Sequence, residues 1–190
     1  MSNVEVVSRV LNLLGKKKVT DINDDPFGPV IDDFVESDYK IVLSDFHWSF
    51  ATRYFVLNKN TVNKSPEFNY TYTLPSYFLN KIDAYSFSYD ANSNPKIESA
   101  LSLSEYVIED NFYTDQDGLL LKFVSSNVDL AKRSPQFIDG LAYHVAGKVT
   151  PVLLAKNDLV QYYEQMSERA IGKAKTQDQL NKSDYKDWYE

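Results

Sequence analysis

Apolar residues recur over the first fifteen positions at the spacing of one helix face, with Val4, Val7, Leu11 and Leu14 in line and Val6, Val10 and Leu13 widening the stripe. Gly15 stands where a helix commonly ends in a residue of positive φ. A second helical pattern runs through Phe27, Val30, Ile31, Phe34, Val35, Ile41 and Val42 to about Asp45. Asp24 or Asp25 can cap it, with Pro26 at the first helical position, where a missing N–H is harmless. The acidic side chains of this segment read as the solvated face of an amphipathic helix.

From Thr52 the period changes from about 3.6 toward 2, and β-branched and aromatic residues gather into short runs. TRYFVL, NYTYTL, IDAYSFSY, EYVIEDNFYT and GLLLKFV are candidate strands, separated by polar pieces such as NKNTVNKSPEF and DANSNPK. Asp117-Gly118 predicts a tight hairpin between EDNFYT and LLLKFV, because the favoured two-residue turn needs positive φ at both centres. Helical spacing returns at Phe137, Leu141, Val145 and Val149 after a Ser134-Pro135 start, and Pro151 predicts a kink or break. A last helix opens near Asn157 or Asp158 and runs toward Leu180.

The expected fold class is therefore α+β: a discontinuous helical bundle from residues 1–50 and 127–181, a small antiparallel β-module inserted at 51–126, and a C-terminal tail at 182–190. In SDFHWSFATRYFVL, residues 44–57, Trp48, Phe50 and Phe55 are expected to pack between the two modules.

The chain has 190 residues, 43% of them apolar, enough for a real core. The start shows no basic and apolar leader, and no apolar run approaches the roughly 20 residues of a membrane span, so a soluble chain without membrane contact is expected. The absence of cysteine excludes disulfides and thiolate chemistry. Of the net charge of −7, residues 20–45 alone contribute that amount, from Asp21, Asp24, Asp25, Asp32, Asp33, Glu36, Asp38 and Asp45 against Lys40. Such a field repels nucleic-acid backbones. Lys16, Lys17 and Lys18 follow the first helix, where cations favour the helix dipole by about 0.3–1 kcal/mol.

Motifs for chemistry are scarce. GLAYHVAGKV at 140–149 fails as a phosphate loop, since six residues separate its glycines and Val149 replaces the magnesium-binding hydroxyl. DQDG at 115–118 fails as a calcium loop, with Leu120 where glycine is needed and Ser126 where glutamate is needed. His47 and His144 are the only imidazoles, too few for a histidine-rich metal site. No catalytic, cofactor or metal residue emerges, and no cofactor is expected. Two suitably placed carboxylates would suffice for glycoside hydrolysis, so a glycan hydrolase remains a rival reading, as does a cellular mixed α/β binding module.

Taken in order, VLNLLGKKKVTDINDD, FHWSFATRYFVL, NYTYTLPSYFLNKI and SPQFIDGLAYHVAGKVTPVL resemble the head-to-tail adaptor family of short-tailed bacteriophages, the tail tubular protein A family. The matching pattern comprises Leu11, Leu13, Leu14 and Gly15, then Asp21 to Asp25, then His47, Trp48, Phe50 and Ala51, then Tyr70, Tyr72, Leu74 and Pro75. Pro26 to Pro29 departs from the family pattern, as does Ser65 to Phe68.

The resemblance implies a non-enzymatic virion protein of the neck and tail, present in host cytoplasm during assembly. It would form a ring of twelve copies between portal protein and tail nozzle protein, with tail fibres as a further partner. DNA would pass through its channel without specific binding. On that expectation Asp32, Asp33, Glu36 and Asp38 are channel-facing candidates. Tyr185, Trp188 and Tyr189 in the tail are candidate contacts to the portal and tail, and Lys16 to Lys18 a second candidate interface.

Overall fold

A computed structural model describes residues 3–63, 65–89, 95–102, 106–109, 111–130 and 133–183. Its architecture is α+β, with helices at both ends and two small antiparallel sheets between them. Cα proximity divides the chain into two compact units, Met1–Ser49 with Val128–Glu190, and Phe50–Asn127.

The helical unit contains α1 (Val4–Leu13), α2 (Gly28–Ser44), α3 (Pro135–Leu154) and α4 (Val160–Ser183). The apolar stripe of α1 becomes its buried face, with Val6, Val7, Val10 and Leu11 inside. The helix stops as the sequence suggests: Gly15 takes φ +76°, its N–H bonds Asn12 O, and the Lys16 N–H bonds Leu11 O at 2.9 Å. Those two bonds satisfy carbonyls that a helix end otherwise leaves open.

The entry to α2 differs from expectation. Asp21 caps a short 3-10 turn at Ile22–Asp24, and the Asp24 carboxylate bonds back to the Asp21 N–H at 2.9 Å. The longer helix then starts at Gly28, with Pro29 rather than Pro26 in its first turn. Gly28 is required because an added Cβ would lie 1.8 Å from the Ile22 carbonyl oxygen.

α3 is the hub of the unit and contacts each of the other three helices. Ser134 caps it by accepting the Phe137 N–H. Its buried face is nearly continuous, including Phe137, Ile138, Leu141, Val145 and Val149. Gly140 and Gly147 let α4 approach: a Cβ on Gly140 would meet the Ile171 side chain at 2.6 Å, and one on Gly147 would meet the Tyr163 Cβ at 3.6 Å. Pro151 does not divide α3. It stands in the last turn, where the N–H it lacks would have bonded the Gly147 carbonyl; that one bond is lost without breaking the helix, which runs to Leu154 before Ala155 ends it at φ +52°.

The β unit has seven strands among the described residues rather than about five. β1 (Thr52–Val56), β7 (Leu119–Ser125), β3 (Phe78–Tyr89) and β4 (Pro95–Ala100) form one sheet in that order. β2 (Tyr70–Thr73), β6 (Asn111–Thr114) and β5 (Tyr106–Ile108) form the other. Leu119, Leu121 and Phe123 of β7 and Ala84 of β3 form one core with Tyr72, Tyr106 and Phe112 of the second sheet.

Asp117-Gly118 is not a hairpin turn, because β6 pairs with β2 and β5 while β7 pairs with β1 and β3. The chain crosses there from one sheet to the other. Gly118 lacks positive φ and serves a different need: a Cβ would lie 2.4 Å from the Phe87 carbonyl oxygen, against which the backbone is pressed.

Candidate functional site

Helical spacing places Asp38 on the buried stripe of α2, in line with Ile31, Val35 and Val42. Its exposure is 2%, which corrects the expectation that it faces a channel. A carboxylate is tolerated there because α3 supplies a cation: Lys148 Nζ donates to Asp38 Oδ1 at 2.8 Å. The ammonium end of Lys148 remains in reach of water while its partner is enclosed. Asp38 Oδ2 and His144 Nε2 lie 3.7 Å apart and neither makes a hydrogen bond among the described residues.

Burial pushes the His144 imidazole below its usual value; Asp38 opposes that shift, Lys148 reinforces it, and Asp45 and Glu164 oppose it more weakly. The neutral imidazole is thus favoured beside a carboxylate already paired to lysine. Of the nearby hydroxyls, Ser37 Oγ lies 3.0 Å from the Phe34 carbonyl oxygen and 3.4 Å from Asp38 Oδ1, and Ser167 Oγ donates to the Gly140 carbonyl at 2.9 Å. The Asp38–Lys148 bond makes the cluster a polar tie between α2 and α3.

A cleft of about 850 Å³ in the helical unit lies between α1, α3 and the segment after Gly15. Two carboxylates line it, Glu5 and Asp139, and Arg9 binds both, the former at 2.8 Å. Burial works against the Arg9 charge, but hydrogen bonds to Glu5 and Asp139 lift its affinity for the proton above the usual value. A guanidinium between two carboxylates occupies the place where a glycosidic oxygen would have to be protonated. This arrangement gives the glycan-hydrolase reading no support.

The other expected site residues are scattered rather than gathered. Asp33 and Glu36 are exposed on α2, while Asp32 is half-buried and accepts from the Asn3 side chain at 2.8 Å. Lys16, Lys17 and Lys18 are exposed, with Lys16 Nζ 4.8 Å from the Phe27 ring centre. Tyr185, Trp188 and Tyr189 lie outside the described residues.

Trp48 is built into the helical unit. It is 1% exposed, its indole N–H donates to the Val42 carbonyl at 3.1 Å, and its ring meets Phe46 and Phe137 edge-on at 4.9 and 5.0 Å. Its neighbour Ser49 is tied by Asp178 of α4, which accepts from the Ser49 backbone N–H at 2.9 Å. Phe50 is half-buried at the start of the β unit, and Phe55 on β1 is 38% exposed.

Sequence reasoning missed the Asp38 tie, although its signal was present in the 31-35-38-42 spacing. Among the described residues no group of three or more histidine, aspartate or glutamate side chains is placed to hold a metal ion. No helix among them is long and apolar enough to cross a membrane.

Comparison with protein-family models gives no match. Comparison with curated proteins gives none either.

Proposed function

We propose that this chain is a structural subunit of a head-to-tail adaptor ring, joining a portal to a tail nozzle and continuing the DNA channel. The observation that carries the reading is where the resembling motifs fall. The leucine-rich stretch is α1 and ends at the Gly15 cap; the tryptophan motif sits at the passage from the helical to the β unit; Tyr70 and Tyr72 form β2 and lead into Leu74-Pro75; Ser134 caps the returning helix.

Charge supports the same reading. Asp33 and Glu36 project from one helix into solvent, and an acidic wall lets DNA slide by without capture. A head-to-tail ring needs two different faces per subunit, which a two-unit chain can supply.

Light scattering during size-exclusion chromatography, with and without the portal ring of the same particle, tests this. Several copies bound per portal ring are expected; a chain that stays free of the portal at tens of micromolar contradicts the reading.

A further inference from the structure

Among the described residues the four-stranded sheet of the β unit ends at β1 on one side and β4 on the other, neither paired to a further strand. On β1, the Ser125 N–H donates to the Ala51 carbonyl and the Leu57 N–H donates to the Leu119 carbonyl, which fixes the odd-numbered residues as those bonded to β7. The N–H and C=O of Tyr54 and Val56 consequently point away from the sheet. Arg53, Tyr54 and Phe55 are all exposed; the Arg53 guanidinium donates to the Phe50 and Thr52 carbonyls at 2.9 Å, which leaves Tyr54 and Val56 as the open part of the edge. β4 is alike in that Lys96 through Ala100 are all exposed. Tyr54 is 50% and Ile97 49% exposed, large values for side chains of their size in strands. Unpaired edges with apolar side chains are templates for another strand.

We infer that the β1 edge of one copy receives the β4 edge of a second copy, extending the sheet from subunit to subunit. Each neighbouring pair in the sheet is antiparallel, so with four strands β1 and β4 run in opposite directions. A copy displaced along the sheet therefore offers β4 antiparallel to β1, the more stable pairing. With Tyr54 set opposite Ile97, Phe55 falls opposite Lys96 and Arg53 meets Glu98, the extra residue at the register shift of β4, beyond which the pairing is not continued. Among the described residues neither Arg53 nor Glu98 has an ion-pair partner within its own chain. The pairing joins a cation to an anion, an aromatic to an aliphatic, and a cation to an aromatic face.

Because the two edges differ, the contact is heterologous and propagates until it closes. A strand pair of about five residues buries far less than the roughly 1,200 Å² of a stable free interface. It acts when many copies are held together, and is weak in a dilute pair. The inference rests on the ring reading only for closure of the sheet.

The absence of native cysteine makes crosslinking a clean test. The chain carrying both Tyr54→Cys and Ile97→Cys is treated at high concentration with a bis-maleimide of about 8 Å reach, which adds to one thiol at each end. Within one copy these positions lie three strand spacings apart, about 14 Å, beyond that reach. A ladder of dimer, trimer and higher species is expected from the double variant. The two single variants mixed should stop at dimer, and each alone should stay monomeric. Adding Val56→Pro should erase the ladder with the circular dichroism unchanged, since that N–H does not serve β7.

Monomer alone from the double variant overturns the inference, as does dimer from Tyr54→Cys alone, which would mean two-fold pairing of β1 with itself. A ladder untouched by Val56→Pro would reveal collisional crosslinking and also overturn it. Portal-bound rings without crosslinks defeat the edge pairing and spare the adaptor reading; a ladder without portal binding does the reverse.

Discussion

Replacing Lys148 by methionine removes the cation from a carboxylate that stays buried. At 2.8 Å and an effective dielectric constant near 20, the Asp38–Lys148 attraction has an upper bound of about 6 kcal/mol. Lys148 is 41% exposed, so water screens much of this and the long side chain loses entropy on pairing. Breaking a fully buried pair costs about 3–5 kcal/mol, and the exposed lysine end brings the expected loss to about 2–3 kcal/mol. Urea unfolding followed by Trp48 emission, with Trp188→Phe in the background so that one tryptophan reports, measures it.

Removing both charges with Asp38→Leu and Lys148→Met should return stability to within about 1 kcal/mol of the parent, because neither charge then lacks its partner. Loss of Lys148 also removes a positive charge that disfavours imidazolium, so His144 protonates more readily and its charge can replace the ammonium. The Lys148→Met penalty should therefore shrink between pH 8 and pH 6. A single-variant loss below about 0.5 kcal/mol, or additive losses in the double variant, refutes the assignment of Asp38 as a buried, lysine-dependent tie.

In the parent chain the depressed His144 affinity means that the unfolded state binds its proton first. The neutral form's contribution is intact above about pH 6.5 and is lost as pH falls through the lower folded value. His144→Gln should flatten that acid limb in pH-dependent urea midpoints. Trp48→Ala removes an enclosed ring and its bond to the Val42 carbonyl, and should cost about 3–5 kcal/mol in urea unfolding followed by circular dichroism. Gly118→Ala should be strongly destabilising because its Cβ meets a backbone oxygen at 2.4 Å, whereas Gly172→Ala, with no neighbour within 4 Å in mid-helix, should stabilise by about 0.5–1 kcal/mol in thermal unfolding.

Much of the fold is legible in the sequence because local signals and tertiary packing agree there. The α1 stripe, the Gly15 cap, the Ser134-Pro135 start and the change of period at Thr52 each match an element or its boundary. Misreadings occur where a distant partner decides. Asp117-Gly118 has hairpin chemistry, yet the strands flanking it find partners in different sheets. β4 begins inside DANSNPK, at Pro95, although that stretch reads as turn, and forms because β3 is long enough to pair with it. Asp38 looks like part of a solvated face until Lys148, 110 positions later, supplies its counter-charge. Pro26 carries the stronger start signal, but capping by Asp21 and the tight passage at Gly28 move the helix start to the second proline.

The adaptor role itself is tested most directly by a cryo-EM reconstruction of the particle whose genome encodes this chain. A ring of this fold at a single vertex, between portal and nozzle, with Asp33 and Glu36 turned toward the channel axis, is the predicted result. A particle that lacks the chain at that vertex, or a ring there built from another fold, would contradict it.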